Sequence, residues 1–125
     1  MTENEIATIV VDLCIKIHKT LGPGLLETVY ESALCYELSK LKIPYERQKD
    51  LPVPYGDIDL EVGFRADVIV EDKVIVELKS IENVLAVHHK IVITYLKISG
   101  KKLGLLINFN VNLLKDGIYR KVNNL

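Results

Sequence analysis

Apolar and polar positions along the chain change their period more than once. Ile6, Ile9, Val10, Leu13, Cys14, Ile17 and Leu21 recur at three- and four-residue steps, which predicts an amphipathic helix over residues 3–20. Thr2 and Glu5 form a capping box at its start, and Gly22-Pro23-Gly24 stops it. Leu26, Val29, Ala33, Leu34, Leu38 and Leu41 predict a second helix over residues 25–41. Pro44, Pro52 and Pro54 then break the stretch from Ile43 to Tyr55, which reads as an edge strand or two short pieces, with a turn at Gly56-Asp57. Asp57, Asp59 and Glu61 alternate with Ile58, Leu60 and Val62, the pattern of a half-exposed strand that leads into a hairpin. Beyond Ser80, a cap at Ser80 or Asn83 opens a third helix with Val84, Val87, His88, Ile91, Val92, Tyr95 and Ile98 on one face and Gly100 at its end. Leu103 to Phe109 is a continuous apolar run, a strand covered on both faces, and residues 117–122 form a last edge strand. The order predicts an α/β fold, a sheet with helices packed on it.

The central hairpin, GFRADVIVEDKVIVELKS over residues 63–80, carries an anomaly: Asp67, Glu77 and Lys79 interrupt runs that otherwise read as interior strand. Side chains alternate faces along a strand, so these three meet only in one register. A three-residue loop of Glu71, Asp72 and Lys73 sets Val70 opposite Val74, Val68 opposite Val76 and Asp67 opposite Glu77. Ala66, Val68, Val70, Val74, Val76 and Leu78 then make one apolar face, and the three charged residues share the other. Opposed residues lie about 5 Å apart at Cβ, so the carboxylates could share a cation and would repel without one. A loop of two or four residues would separate them.

Composition narrows the class without choosing a function. With 125 residues the chain fits one domain, residues 1–125, and its 49% apolar and 26% charged content is that of an ordinary globular protein. No apolar run is long enough to span a bilayer, and the opening residues are acidic before their apolar part, so a cytoplasmic protein is expected. Cys14 and Cys35 lie in apolar helical patterns without metal-type spacing and are expected as buried free thiols. A net charge of −1 means that any nucleic-acid binding must come from a local patch. Oxygen ligands without a cysteine or histidine cluster favour Mg²⁺ or Mn²⁺ over zinc. Glu27, in the first turn of the second helix, reads on its own as a charge that complements the helix dipole, with Tyr30 on the same face. His88 is either a packing histidine or a residue at the edge of a site.

Asp67 followed by Glu77-Leu78-Lys79 on the next strand resembles the D…ExK signature of the PD-(D/E)XK nuclease superfamily. Gly24-Leu25-Leu26-Glu27-Thr28-Val29-Tyr30 reads G-x-x-E-x-x-Y. With Tyr95-Leu96-Lys97 and Gly104-Leu105-Leu106-Ile107-Asn108-Phe109, it makes nearly the whole chain similar to the GxxExxY protein family. The resemblance implies a restriction-endonuclease-like three-layer core of αβββαβ type, a mixed sheet flanked by helices, with an extra N-terminal helix. It implies phosphodiester hydrolysis in nucleic acid, DNA before RNA. Asp67, Glu77, the Leu78 carbonyl and Glu27 would hold Mg²⁺ or Mn²⁺, and Lys79 would stand beside the attacking water or a phosphate oxygen. Tyr30, His88 and Tyr95 are expected at the edge of the site. Lys97, Lys101 and Lys102 are either phosphate contacts or solvated partners of a helix end. One position departs from the family: Ile91 stands where a glutamine is common, and isoleucine cannot orient water or bind phosphate. His88 is the available compensation.

Three readings follow. The first is a metal-dependent nuclease. The second is a nuclease-like domain that binds nucleic acid or a protein without cleaving. In the third, Asp67, Glu77 and Lys79 are a buried ion-pair cluster that fixes strand register. The first two require the acidic face to be open to solvent, and the third requires it covered. Exposed edge segments make a homodimer an additional expectation.

Overall fold

A computed structural model describes all residues, 1–125. Helix α1 (Glu3–Leu21) starts at the expected capping box and ends at Gly22, whose N–H donates to the His18 carbonyl at 2.8 Å. Helix α2 (Glu27–Lys40) follows, then strands β1 (Tyr45–Tyr55), β2 (Ile58–Val70) and β3 (Val74–Lys79), helix α3 (Ala86–Ser99), and strands β4 (Leu103–Asn108) and β5 (Ile118–Val122). The five strands lie in the order β1-β2-β3-β4-β5. All neighbours are antiparallel except β3 and β4, which run parallel and are joined through α3. This is the expected mixed α/β sheet, with α1 preceding an αβββαβ core and β5 added at the edge.

The hairpin register is the one that alternation demands. Val70 pairs with Val74, Ile69 with Ile75 and Val68 with Val76 around the three-residue loop, where Glu71 (φ 55°) and Asp72 (φ 57°) adopt the left-handed conformation. Val68, Val70, Val74, Val76 and Leu78 pack with α1 and α2 in the larger core, joined by Leu103, Leu105 and Ile107 from β4. The opposite face packs Ile69 and Ile75 against Leu96 of α3. Ala66 departs from expectation by joining this second cluster. Partly buried residues of β1 switch in the same way, Tyr45 packing on the larger core and Leu51 on the smaller one. The paired strands therefore turn over between these residues, and the joint lies at Gln48 and Asp67.

Beyond that joint β1 and β2 continue as an arm whose β2 half, from Ile58 to Gly63, is exposed throughout. A register shift between Leu51 and Val53 accommodates Pro52, and Gly63 sits there because a Cβ would lie 1.8 Å from the Leu51 carbonyl oxygen. β1 is thus one strand with an irregularity, rather than two pieces.

Two helices differ from the pattern-based reading. α2 buries Tyr30, Glu31, Leu34, Cys35 and Leu38, while Leu26, Val29 and Leu41 are exposed, so its inward stripe is rotated from the predicted one. α3 starts at Ala86, later than Ser80 or Asn83 would dictate. The backbone of Ile81 is already engaged: its N–H donates to Asn108 Oδ1 at 3.1 Å, and its carbonyl accepts from Asn108 Nδ2 at 2.9 Å. A segment held in this way cannot supply helical hydrogen bonds.

No helix is long and apolar enough to cross a membrane. Cys14 and Cys35 are buried free thiols, and burial raises the Cys35 thiol to about 11.

Candidate functional site

Asp67 and Glu77 meet at the joint of the sheet. The backbone N–H of Asp67 donates to Glu77 Oε1 at 3.3 Å, and that of Leu78 donates to Asp67 Oδ2 at 2.9 Å. Glu77 is 6% exposed, whereas Asp67 and Lys79 are half-exposed, so the acidic face is open at its rim and closed at its base. Burial pushes the Glu77 carboxyl up to about 9. The neighbouring Asp67 charge and a hydrogen bond to the Asp67 side chain act in the same direction, while the Asp67 N–H and Lys79 act against it. A carboxyl so placed must take up a proton or a cation.

The ion pairs of the chain do not include Asp67, Glu77 or Lys79. The ion-pair cluster of the third reading is therefore not formed; the two acids are tied across β2 and β3 by backbone N–H groups instead. Lys79 stands two residues beyond Glu77 on the same face, about 7 Å along the strand, near enough for its charge to favour the Glu77 carboxylate.

α3 closes the site from above. Tyr95 stacks on Phe64 with ring centroids 4.1 Å apart, and its phenol is raised by burial and then by the charges of Glu77 and Asp67. Tyr95 therefore lines the acidic pair. Ile91, one turn earlier on the same helix face, is 38% exposed. His88 serves the helix start, its Nδ1 accepting from the Leu85 N–H at 2.8 Å, which leaves only Nε2 for other chemistry.

Glu27 opens α2 and reaches the end of β3, where its Oε1 accepts from the Ser80 N–H at 3.4 Å. No three side chains among His, Cys, Asp and Glu gather closely enough to form a ready metal cage, so Glu27 does not join the Asp67–Glu77 pair. Tyr30 is a core residue rather than an edge residue. It is fully buried and stacked 4.1 Å from Phe109, its hydroxyl donating to the Gly22 carbonyl and accepting from the Leu25 N–H.

Lys101 and Lys102 lie elsewhere. β3 and β4 run parallel with Val74 beside Leu103 and Lys79 beside Asn108, so Lys101 and Lys102 lie by the hairpin loop, at the opposite end of β3 from Lys79. That separation is about 20 Å along the strands. The Lys101 ammonium is also taken, donating to the Asp72 carbonyl and carboxylate, each at 3.0 Å. Lys102 and Lys97 are exposed.

Residues 4–121 match the PD-(D/E)XK nuclease superfamily. The chain belongs to that superfamily. No curated protein and no solved structure shows a significant match. PD-(D/E)XK nucleases generally use divalent metals and act on nucleic acid.

Sequence reasoning missed two residues of the joint, Glu31 and Gln48. Glu31 carried a readable signal, since it stands four residues after Glu27 and three before Leu34, in the stripe that faces the sheet. Gln48 carried none.

Proposed function

We propose that the chain, as one nuclease-like domain of the GxxExxY type, hydrolyses phosphodiester bonds in nucleic acid, DNA in preference to RNA, with Mg²⁺ or Mn²⁺. The observation that carries this reading is the contact between Asp67 and Glu77 on one face, with Lys79 beyond it and no cation of the chain paired to either acid. The donor set fits a hard cation, because it offers only oxygen: both carboxylates, the Leu78 carbonyl and, by a side-chain movement, Glu27. Mg²⁺ is commonly held by one or two carboxylates with water and substrate phosphate completing its shell, so the lack of a three-carboxylate cage suits it. Such an ion supplies Lewis-acid polarisation of the phosphate and an activated water when bound.

The chain's own groups do the rest. Lys79 presents positive charge to the phosphate from the strand end and stabilises charge as it builds up on oxygen. Tyr95, held by its stack on Phe64, sets its phenol near the charges of the acids. Glu27 and Ser80 hold the strand end that carries Lys79. Lys102, distant along the sheet, and Lys97, exposed on α3, suit contact with phosphates other than the scissile one. Buried unpaired thiols suit the reducing cytoplasm. The exposed arm, with Tyr55, Ile58, Leu60 and Val62 uncovered, is the segment that would pair two copies in a homodimer.

The test has two arms. Titration with Mn²⁺ or Mg²⁺ should raise the melting temperature of the wild type, and Asp67→Ala should remove the effect. Wild-type cleavage of single-stranded, duplex or branched substrates should fall about 10²–10³-fold in Lys79→Ala, the cost of deleting one group that stabilises developing charge. No metal response at millimolar levels sinks the metal site, and no cleavage of any substrate promotes a second reading, a domain that binds without cutting.

Ile91 favours that second reading, since its exposed apolar side chain stands on the Tyr95 face where a polar group would reach substrate or water. Ile91→Gln is expected to leave stability within about 0.5 kcal/mol, as for other exposed positions. It should raise either the cleavage rate or the nucleic-acid affinity, measured side by side with wild type.

A further inference from the structure

The residues around the joint are held in a way that ordinary strand geometry does not allow. Glu31 on α2 is 5% exposed, and its Oε2 accepts from Arg47 Nε at 3.1 Å and Nη2 at 2.8 Å. Its Oε1 accepts from the Gln48 side-chain amide at 2.6 Å. The same amide nitrogen donates to Asp67 Oδ1 at 3.3 Å. Consecutive strand residues point to opposite faces, so Arg47 and Gln48 should not both reach one carboxylate. They do because Gln48 takes φ 48°, a left-handed conformation uncommon outside glycine and here set within a strand. The ladder breaks at that level: Arg47 pairs with Val68 and Lys49 with Ala66, but Gln48 and Asp67 are not paired.

The chemistry of the contacts is specific. An amide NH₂ has two hydrogens, and here each faces a carboxylate oxygen, a demand that neither a carboxylate nor an apolar side chain could meet. Asp67 is thereby held at both oxygens, Oδ1 by Gln48 and Oδ2 by the Leu78 N–H, with lone pairs still free on each. Strain of this kind persists where surrounding groups over-determine it, and here Glu31 and Arg47 do so.

We propose that Gln48 is a positioning residue, which fixes the orientation of the Asp67 carboxylate and ties it through Glu31 to helix α2. The role assigned to that orientation, to present Asp67 to a divalent ion, rests on the metal-dependent reading above.

Two variants separate side chain from backbone. Gln48→Asn accepts the left-handed conformation more readily and keeps an amide, but is one methylene too short to reach both carboxylates. Gln48→Gly relieves the backbone and removes the side chain. Neither introduces strain, so both should fold. In the metal-free protein, both are expected to move the Leu78 amide resonance and to speed its hydrogen exchange as Asp67 Oδ2 loses its fixed place, with the Ile75 and Val76 amides unchanged. Both should weaken Mn²⁺ binding, followed by calorimetry, by tenfold or more, as is usual when a group that orients a metal ligand is lost. In an Asp67→Ala background Gln48→Asn should have no further effect on the Leu78 amide.

An unchanged Leu78 amide in both variants overturns the positioning role, whether or not a metal binds. A changed Leu78 amide with wild-type Mn²⁺ affinity retained overturns the claim that the orientation serves the ion. A changed Leu78 amide in a wild type that binds no Mn²⁺ upholds the Gln48–Asp67 coupling and overturns the metal-dependent reading instead.

Discussion

Glu77→Gln is expected to make the metal-free protein more stable at pH 8 and to abolish both its metal response and its cleavage. The Glu77 carboxyl titrates near 4.5 when exposed and is pushed to about 9 in the folded chain. Between those values the folded state holds a proton that the unfolded state has released. Stability is therefore full below about 4.5 and falls as pH rises towards 9, with a slope of up to about 1.4 kcal/mol per pH unit for one proton. An amide at this position needs no proton and can still donate to Asp67, so the variant should lack this slope. His89 acts with the opposite sign. Burial first, then Lys121 and His88, disfavour its imidazolium below the usual 6.5, so its contribution is lost as pH falls. Measurement belongs between pH 7 and 8.5, above the histidine and below the thiols and Tyr95. Urea unfolding in EDTA over that window should show the wild type losing on the order of 2 kcal/mol and Glu77→Gln nearly level. Saturating Mn²⁺ should flatten the wild-type curve, because a bound cation replaces the proton. A wild type equally stable at both ends of the window, or a variant with the same slope, would contradict the assignment of Glu77 as the strained acid.

The parts of this arrangement that were legible in the sequence are those fixed by local period. β-Branched alternation on both sides of Glu71-Asp72-Lys73 permitted one register, and that register brings Asp67 to Glu77. The capping box of α1, the Gly100 end of α3 and the continuous apolar run of β4 are likewise statements about neighbours in sequence.

What could not be read depends on partners far along the chain. Asn108 holds the Ile81 backbone and thereby delays α3, which no pattern within residues 80–86 reveals. Lys101 looked free beside a helix end and is occupied by Asp72 across the hairpin loop. The left-handed turn at Gln48 depends on Glu31, seventeen residues earlier, and on Asp67, nineteen later. Propensity gives no warning of it, because glutamine is not a residue that seeks that conformation. Since Gln48 reverses the facing of the strands, the fate of Ala66 was hidden with it.

Tyr30 is expected to produce the largest loss of stability in the molecule. Tyr30→Ala removes a fully buried ring stacked on Phe109 at 4.1 Å and should cost about 3–5 kcal/mol, the usual price of an aromatic deleted from a core. Tyr30→Phe is the more informative change. It keeps the stack and leaves the Gly22 carbonyl and the Leu25 N–H without their partner, a loss of about 1–3 kcal/mol. The loop so closed contains Gly22 (φ 75°) and Gly24 (φ 94°), and the hydroxyl of Tyr30 is what holds its two ends together. From that loop, the Leu25 carbonyl accepts from the Ser80 hydroxyl at 2.6 Å, and Glu27 accepts from the Ser80 N–H. G-x-x-E-x-x-Y therefore reads physically as a clamp. Glycine opens the turn, glutamate and the turn hold the residue after Lys79, and tyrosine locks the turn from the helix one step further. Tyr30→Phe should accordingly lower cleavage as well as stability, although its hydroxyl touches no reacting group. Urea midpoints for both variants, with cleavage measured well below the melting temperature, test this. A Tyr30→Phe protein that is less stable yet cuts at the wild-type rate would show that the loop supports the core without placing Lys79.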